Sequence, residues 1–223
     1  MTTSESDEDH VAVGIVVAHP DDETLWAGGA ILLHPQWRCS VFTLCRASDP
    51  NRAPRFHHAL ECFGARGRMG DLDDGPDQAP LDDAAVRRAV LALIGATSFD
   101  LLVTHSPQGE YTSHRRHAEV SRAVTGLWRE GGIHADRLWL FAYDDGNRGH
   151  LPCAREGANV ILPLPPAVWE EKYRIIREVY GFAPDSWEAQ AAPRTEAFYE
   201  TVRSVGSVRS VGSVRTGRKE QSG

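Results

Sequence analysis

VAVGIVVAHPDDETLWAGG, residues 11–29, carries the pattern on which the fold turns. Its first eight residues, Val11 to Ala18, are an unbroken apolar run rich in β-branched side chains. A run of this kind lacks the alternation of a half-exposed strand and fits a central parallel strand covered on both faces. It is far too short to span a bilayer. The chain then turns at His19-Pro20-Asp21-Asp22-Glu23, where Pro20, with its locked φ, stiffens the turn. Thr24–His34 reads as a helix that stops at Pro35. Asp22 and Glu23 lie near its start, where the macrodipole favours negative charge.

Outward from this unit, strands and helices alternate. Arg38–Cys45 reads as a second strand, and Arg55–Phe63 as a helix closed by Gly64 at C′. Leu81–Ile94 has helical spacing through Val86, Val90 and Ile94. Phe99–Thr104 is a third buried strand, followed by His105. Helical periodicity resumes over Ser113–Glu130, Arg137–Tyr143 is a strand, Asn159–Leu162 a short strand and Pro166–Tyr180 a helix. Alternation of this kind predicts an α/β, Rossmann-like sandwich, a mostly parallel sheet with helices on both faces. In such sheets the ligand site lies beyond the carboxyl ends of the strands.

One domain is expected over residues 11–202. Residues 1–10 are polar and acidic, without the charged and apolar regions of a secretory signal, and are expected to be disordered. From Arg203 the sequence repeats RSVGSV before TGRKEQSG. Ser, Val, Gly and Arg in a six-residue repeat cannot bury a core, so 203–223 is expected to be a disordered tail. A formal net charge of −7 argues against nucleic acid as a partner, since phosphate binding needs a basic surface. No membrane partner is expected. The spacing of Cys39, Cys45, Cys62 and Cys153 suggests neither a zinc knuckle nor a disulfide framework, which points to the cytoplasm.

The chemistry is concentrated in two short segments. In HPDDE, His19 and Asp22 are three apart at a strand end and can converge on one point, while Asp21 between them aims elsewhere. An imidazole and a carboxylate suit Zn²⁺, though Fe²⁺ and other divalent ions also fit. A third ligand must come from elsewhere. Ser113-His114-Arg115-Arg116-His117 supplies two histidines on one helical face. One can bind metal while the other faces the same cavity. Either motif alone has an ordinary reading, an N-cap for HPDDE and two surface histidines for HxxH. Both follow strands of one sheet, and together they complete a His₂Asp set with a position left open for water.

The stretch VVAHPDDETLWAGG resembles the signature of the PIG-L/LmbE-like family of zinc-dependent N-deacetylases. Arg55-x-x-His58-Ala59-x-x-Cys62-x-Gly64 is similar to that family's Arg-led helix, and THSPQGEYTSHRRH to its second metal motif. The resemblance implies metal ligation by His19, Asp22 and His117, and Asp21 as general base. It implies that His114 supports the oxyanion or the leaving amine, and that Arg55 lines the substrate pocket. Glu23 would cap the helix or support the ligands, and Gly28 and Gly29 would allow close packing. Arg115 and Arg116 stand where the family often has Pro-Asp. The expected reaction is removal of an N-acetyl group from an amino sugar or sugar-containing metabolite, by metal-activated water with an Asp base. Alternatives are an amidase acting on a thiol conjugate or antibiotic intermediate, and a non-catalytic metal-binding protein. A nucleotide-binding module is disfavoured, because HPDDE occupies the turn where G-x-G-x-x-G would stand.

The remaining polar clusters have plainer readings. His105 is expected to be a satisfied core histidine or a support for a ligand. Asp71, Asp73 and Asp74 are expected to form a solvated turn. Asp144 and Asp145, after a strand, are expected to be able to reach substrate hydroxyls.

Overall fold

The computed structural model describes residues 10–111 and 114–203. Seven strands form one sheet: β1 (Val11–Val17), β2 (Trp37–Thr43), β3 (Arg66–Met69), β4 (Ser98–Thr104), β5 (His134–Phe141), β8 (Val160–Pro163) and β9 (Thr195–Val202). Their order is β3-β2-β1-β4-β5-β9-β8. The first five run parallel, and β9 pairs antiparallel with both β5 and β8. A separate short hairpin joins β6 (Tyr143–Asp144) to β7 (Cys153–Ala154). The helices are α1 (Asp22–Leu33), α2 (Arg52–Phe63), α3 (Asp83–Ile94), α4 (Arg115–Glu130), α5 (Pro166–Arg174) and α6 (Trp187–Ala191).

The apolar run of β1 does what its composition requires. Val13, Ile15 and Val17 pack into one core with Trp26 and Ile31 of α1 and Phe56 and Leu60 of α2. Val16 and Ala18 face the other side, against Val86 and Val90 of α3 and Val120 and Val124 of α4. Both faces are therefore covered, the condition for a parallel sheet. The chain leaves β1 toward β2 on one side, whereas β4 lies on the other, so the switch point of the sheet is at the end of β1.

Helix α1 is buried almost all round, from Asp22 to Ile31. A Cβ on Gly29 would meet Leu164 at 2.5 Å and Glu196 Oε1 at 2.9 Å. Its absence lets the Glu196 carboxylate reach the helix backbone, accepting from Gly29 N at 2.7 Å and Ala30 N at 2.6 Å. Lys172 Nζ, also fully buried, balances this charge at 2.7 Å. The glycine pair thus admits a buried ion pair that ties α1 to α5 and β9.

Some expectations need correction. The helix expected over Pro166–Tyr180 is α-helical only to Arg174 and continues as a π-helical turn, Ile175–Val179. Strands β3 and β9 were not read from the sequence. β3 is a four-residue edge strand with alternating exposure, and β9 carries the acidic residues Glu196 and Glu200. Arg203, directly after β9, donates its N–H to Asp136 O at 2.9 Å and its guanidinium to Trp128 O. The readings of residues 1–9 and 204–223 lie outside the described residues. No helix among the described residues is long and apolar enough to cross a membrane.

Candidate metal centre

His19 leaves the end of β1, Asp22 opens α1, and His117 lies in the first turn of α4. Adjacent pairing of β1 and β4 brings the three segments to one point. His117 Nε2 lies 3.3 Å from His19 Nδ1 and 3.3 Å from Asp22 Oδ1, and His19 Nδ1 lies 3.3 Å from Asp22 Oδ2. Ligand atoms about 2.0–2.1 Å from a tetrahedral ion stand about 3.3 Å apart, which is the separation of the two ring nitrogens; the Asp22 contacts are made by different oxygens, one to each ring.

The outer partners of both rings strengthen this fit. His117 Nδ1 faces Glu110 Oε2 at 2.7 Å, and His19 Nε2 faces Asp74 Oδ1 at 3.2 Å. A carboxylate accepts, so each ring places its proton outward and turns a lone pair inward. Two imidazole lone pairs then face a carboxylate whose oxygens accept from His19 N at 2.8 Å and from Trp26 Nε1 at 3.3 Å. A positive charge at the centre, a proton or a metal ion, would relieve the repulsion among the three acceptors. The surrounding field favours one: Asp22 and Asp74 raise the pKa of His19, and Asp22 and Glu110 that of His117, against the opposing effect of burial. Burial also opposes ionisation of Asp22, but the imidazoles of His117 and His105 outweigh it and hold its carboxyl well below the usual range.

Two further histidines crowd the centre. The ligand-type atoms of Asp22, His105 and His117 lie within 4.8 Å of one another, as do those of His19, His114 and His117. His105 is fully buried, and its Nε2 accepts the Ala18 N–H at 2.9 Å, which removes that lone pair from a cation. Nearby Glu110 and Asp22 favour a second proton on this ring. While Nε2 accepts the amide, however, the ring keeps its one proton on Nδ1, facing Glu110 at 3.0 Å. His105 is thus both a satisfied core histidine and a brace for the carboxylate that orients His117.

His114 caps α4, with its ring edge-on to His19 at 4.6 Å between centroids. Burial pushes its pKa down to about 3, so the ring is neutral near pH 7. Its Nδ1 has no partner among the described residues.

Asp21 stands beside the ligand atoms and does not join them. Its φ of 119° is a conformation that side chains rarely adopt, a strain of about 1–3 kcal/mol at the turn. Burial and the adjacent Asp22 push its pKa up to about 8, against the pull of Arg52, whose Nη1 donates to Asp21 Oδ2 at 2.8 Å. Glu23 is fully buried, as a cap requires: Oε2 accepts from Asp21 N at 3.1 Å and Oε1 from Tyr180 OH at 2.6 Å.

Arg55 is not where the resemblance implied. Arg55 donates to the Tyr180 carbonyl and is not among the residues lining the cleft; Arg52, one turn earlier on α2, is. Asp74 is likewise no solvated turn residue. Its side chain is largely buried and accepts from His19, from Arg46 Nε at 2.9 Å and from Gln78 Nε2 at 2.7 Å. Arg116, one of the two arginines between the histidines, is 1% exposed and fastens this loop to α4, donating to Asp73 O at 2.6 Å and Ala79 O at 2.9 Å. Sequence reading missed Asp74, Glu110, Arg52 and Arg116; the only signal for any of them was proximity to the motifs. Asp144 and Asp145 line a separate pocket of about 280 Å³, together with Glu110 and Arg155.

These groups open onto a cleft of about 540 Å³ lined by His19, Asp21, Asp22, Arg52, Tyr111 and His114, among others. Fold and site together define a doubly wound α/β protein with a His/Asp centre at its switch point.

Comparison with solved structures agrees in fold. GalB, the 4-carboxy-2-hydroxymuconate hydratase from Pseudomonas putida, matches at 17% identity with a TM-score of 0.62, covering 94% of this chain and 100% of that one. The zinc-inhibited form of the teicoplanin deacetylase Orf2 matches at 14% identity and 0.61, covering 88% and 100%. The N,N'-diacetylchitobiose deacetylase from Pyrococcus horikoshii matches at 15% identity and 0.62, covering 87% and 85%. No family model matches the chain, and no curated protein matches it by sequence. The chain has the α/β fold of PIG-L/LmbE-type proteins, and the resemblance read from its motifs holds at that level.

Proposed function

We propose that this chain is a metal-dependent amide hydrolase that removes an N-acetyl group from an amino sugar or sugar-containing metabolite. His19, Asp22 and His117 would hold one divalent ion, with Zn²⁺ favoured by the mixed N/O set and Fe²⁺ also accommodated. The observation that carries this reading is the convergence of His19, Asp22 and His117: the inward ring nitrogens are 3.3 Å apart, each is 3.3 Å from a different Asp22 oxygen, and both rings are turned inward by Asp74 and Glu110. Bound there, the ion would polarise an acyl carbonyl and acidify a water.

The chain's own groups supply the rest. Asp21 accepts the proton of the attacking water, and Arg52 holds its carboxylate in place at 2.8 Å. His114, neutral and at the cleft wall, donates an N–H to the developing oxyanion. The proton on Asp21 is then available to the leaving nitrogen. Deacetylase activity in two of the structural neighbours supports this choice, as does the sequence resemblance. GalB, a hydratase, has the same fold, so fold alone does not select the reaction. The four cysteines are unpaired, in keeping with a cytoplasmic setting.

Elemental analysis together with acetate release from a panel of N-acetylated sugars tests the proposal. One divalent ion per chain is expected, with activity abolished by chelation and restored by metal. His117→Ala should lose both ion and turnover. Full metal occupancy and turnover in that variant would refute the ligand set. Bound metal with no acetate from any sugar, thiol conjugate or acylated antibiotic precursor would favour a non-catalytic metal protein.

A further inference from the structure

The cleft has two unlike walls. One is polar and its cations are already engaged: Arg46 with Asp74 at 2.5 Å and Arg52 with Asp21 at 2.8 Å. The other is aromatic. Tyr111 stands 5.4 Å from the His117 ring centroid, and Trp187 stands 4.5 Å beyond Tyr111, toward the mouth. Trp26, behind them, is fully buried, whereas Trp187 remains 38% exposed. Glu188, next to it, also lines the cleft and makes no ion pair among the described residues.

An indole left exposed on a cleft wall presents a flat apolar face, and an unpaired carboxylate beside it presents acceptors only. We propose that Trp187 and Glu188 form a recognition subsite at the mouth of the cleft for a ring of the substrate. Trp187 takes the flat apolar face of the ring, and Glu188 the hydroxyl or ammonium donors on its edge. The subsite rests on the amide-hydrolase reading and narrows its substrate class: a neutral or cationic ring is accepted, and one carrying an anion near Glu188 is disfavoured. A stacked ring contact contributes about a 3- to 10-fold preference.

The test uses the zinc-loaded protein and three probes: N-acetylglucosamine, its 6-phosphate, and acyclic N-acetylethanolamine. In Trp187→Ala the ratio of kcat/KM for N-acetylglucosamine over N-acetylethanolamine should fall about 3- to 10-fold, through KM, with Trp187→Phe recovering most of it. Glu188→Gln should raise the 6-phosphate relative to N-acetylglucosamine. Binding is read separately in an Asp21→Asn background, where N-acetylglucosamine should quench tryptophan fluorescence and Trp187→Phe should remove the quench. An unchanged ratio in Trp187→Ala, or no quench in the Asp21→Asn protein, overturns the subsite. A Trp187-dependent quench without acetate release from any probe, or from the wider panel of sugars, thiol conjugates and acylated antibiotic precursors, supports the subsite and overturns the hydrolase reading instead.

Discussion

Asp21→Asn separates the two demands placed on the turn after β1. The carboxyl is buried at 8% exposure beside Asp22, and its pKa is pushed up to about 8 from an ordinary value near 4. The folded chain therefore keeps a proton that the unfolded chain has released. The penalty is absent below about pH 4, grows by about 1.4 kcal/mol per pH unit above it, and is complete near pH 8. At pH 7 it reaches roughly 4 kcal/mol, a large share of the stability of an ordinary domain. Asn has the same shape and no charge to desolvate, so the variant should be more stable by an amount that rises with pH across this window. Because a nearby divalent charge would pull the Asp21 value down, both proteins are compared after chelation, by urea unfolding at pH 5, 6, 7 and 8. With metal restored, the variant should retain the ion and lose about 10²–10⁴ in kcat. Parallel stability curves for the two proteins would refute the buried, protonated Asp21. Near wild-type kcat with metal bound would refute its role as base.

Glu196→Ala should cost about 3–5 kcal/mol in urea unfolding, since it strands the Lys172 ammonium and two backbone N–H groups of α1. Adding Lys172→Met to that change should recover part of the loss, and a double variant no better than the single one would contradict the pairing. Burial pushes the thiols of Cys39 and Cys45 up to about 12, so at pH 8 their thiolate fraction is on the order of 10⁻⁴. A thiol reagent should then label exposed Cys153 rapidly in the native protein and reach Cys39 and Cys45 only on unfolding.

The sequence by itself determined the scaffold and the two ends of the site. An apolar β-branched run has one inexpensive solution, a strand covered on both faces, and Val11–Val17 takes it. HPDDE follows that strand, so its position at the sheet's carboxyl edge was fixed by local pattern alone; of the two histidines read as helical, His117 lies in the first turn of α4 and His114 is the extended residue that precedes it. Tertiary structure decided what surrounds them. Asp74 comes from a loop 55 residues from His19 and is delivered by Arg116 on α4, a contact that no local pattern encodes. On α2 the sequence pointed to Arg55 alone; the helix phase against the sheet sends Arg52 to Asp21 and Arg55 to Tyr180. Glu196 carries no local signal of burial, and only when β9 folds back beside α1 does the missing Cβ at Gly29 admit its carboxylate. Periodicity and turn chemistry act over a few residues and are written in the sequence, whereas the partners of a buried charge are chosen by packing between segments far apart in the chain.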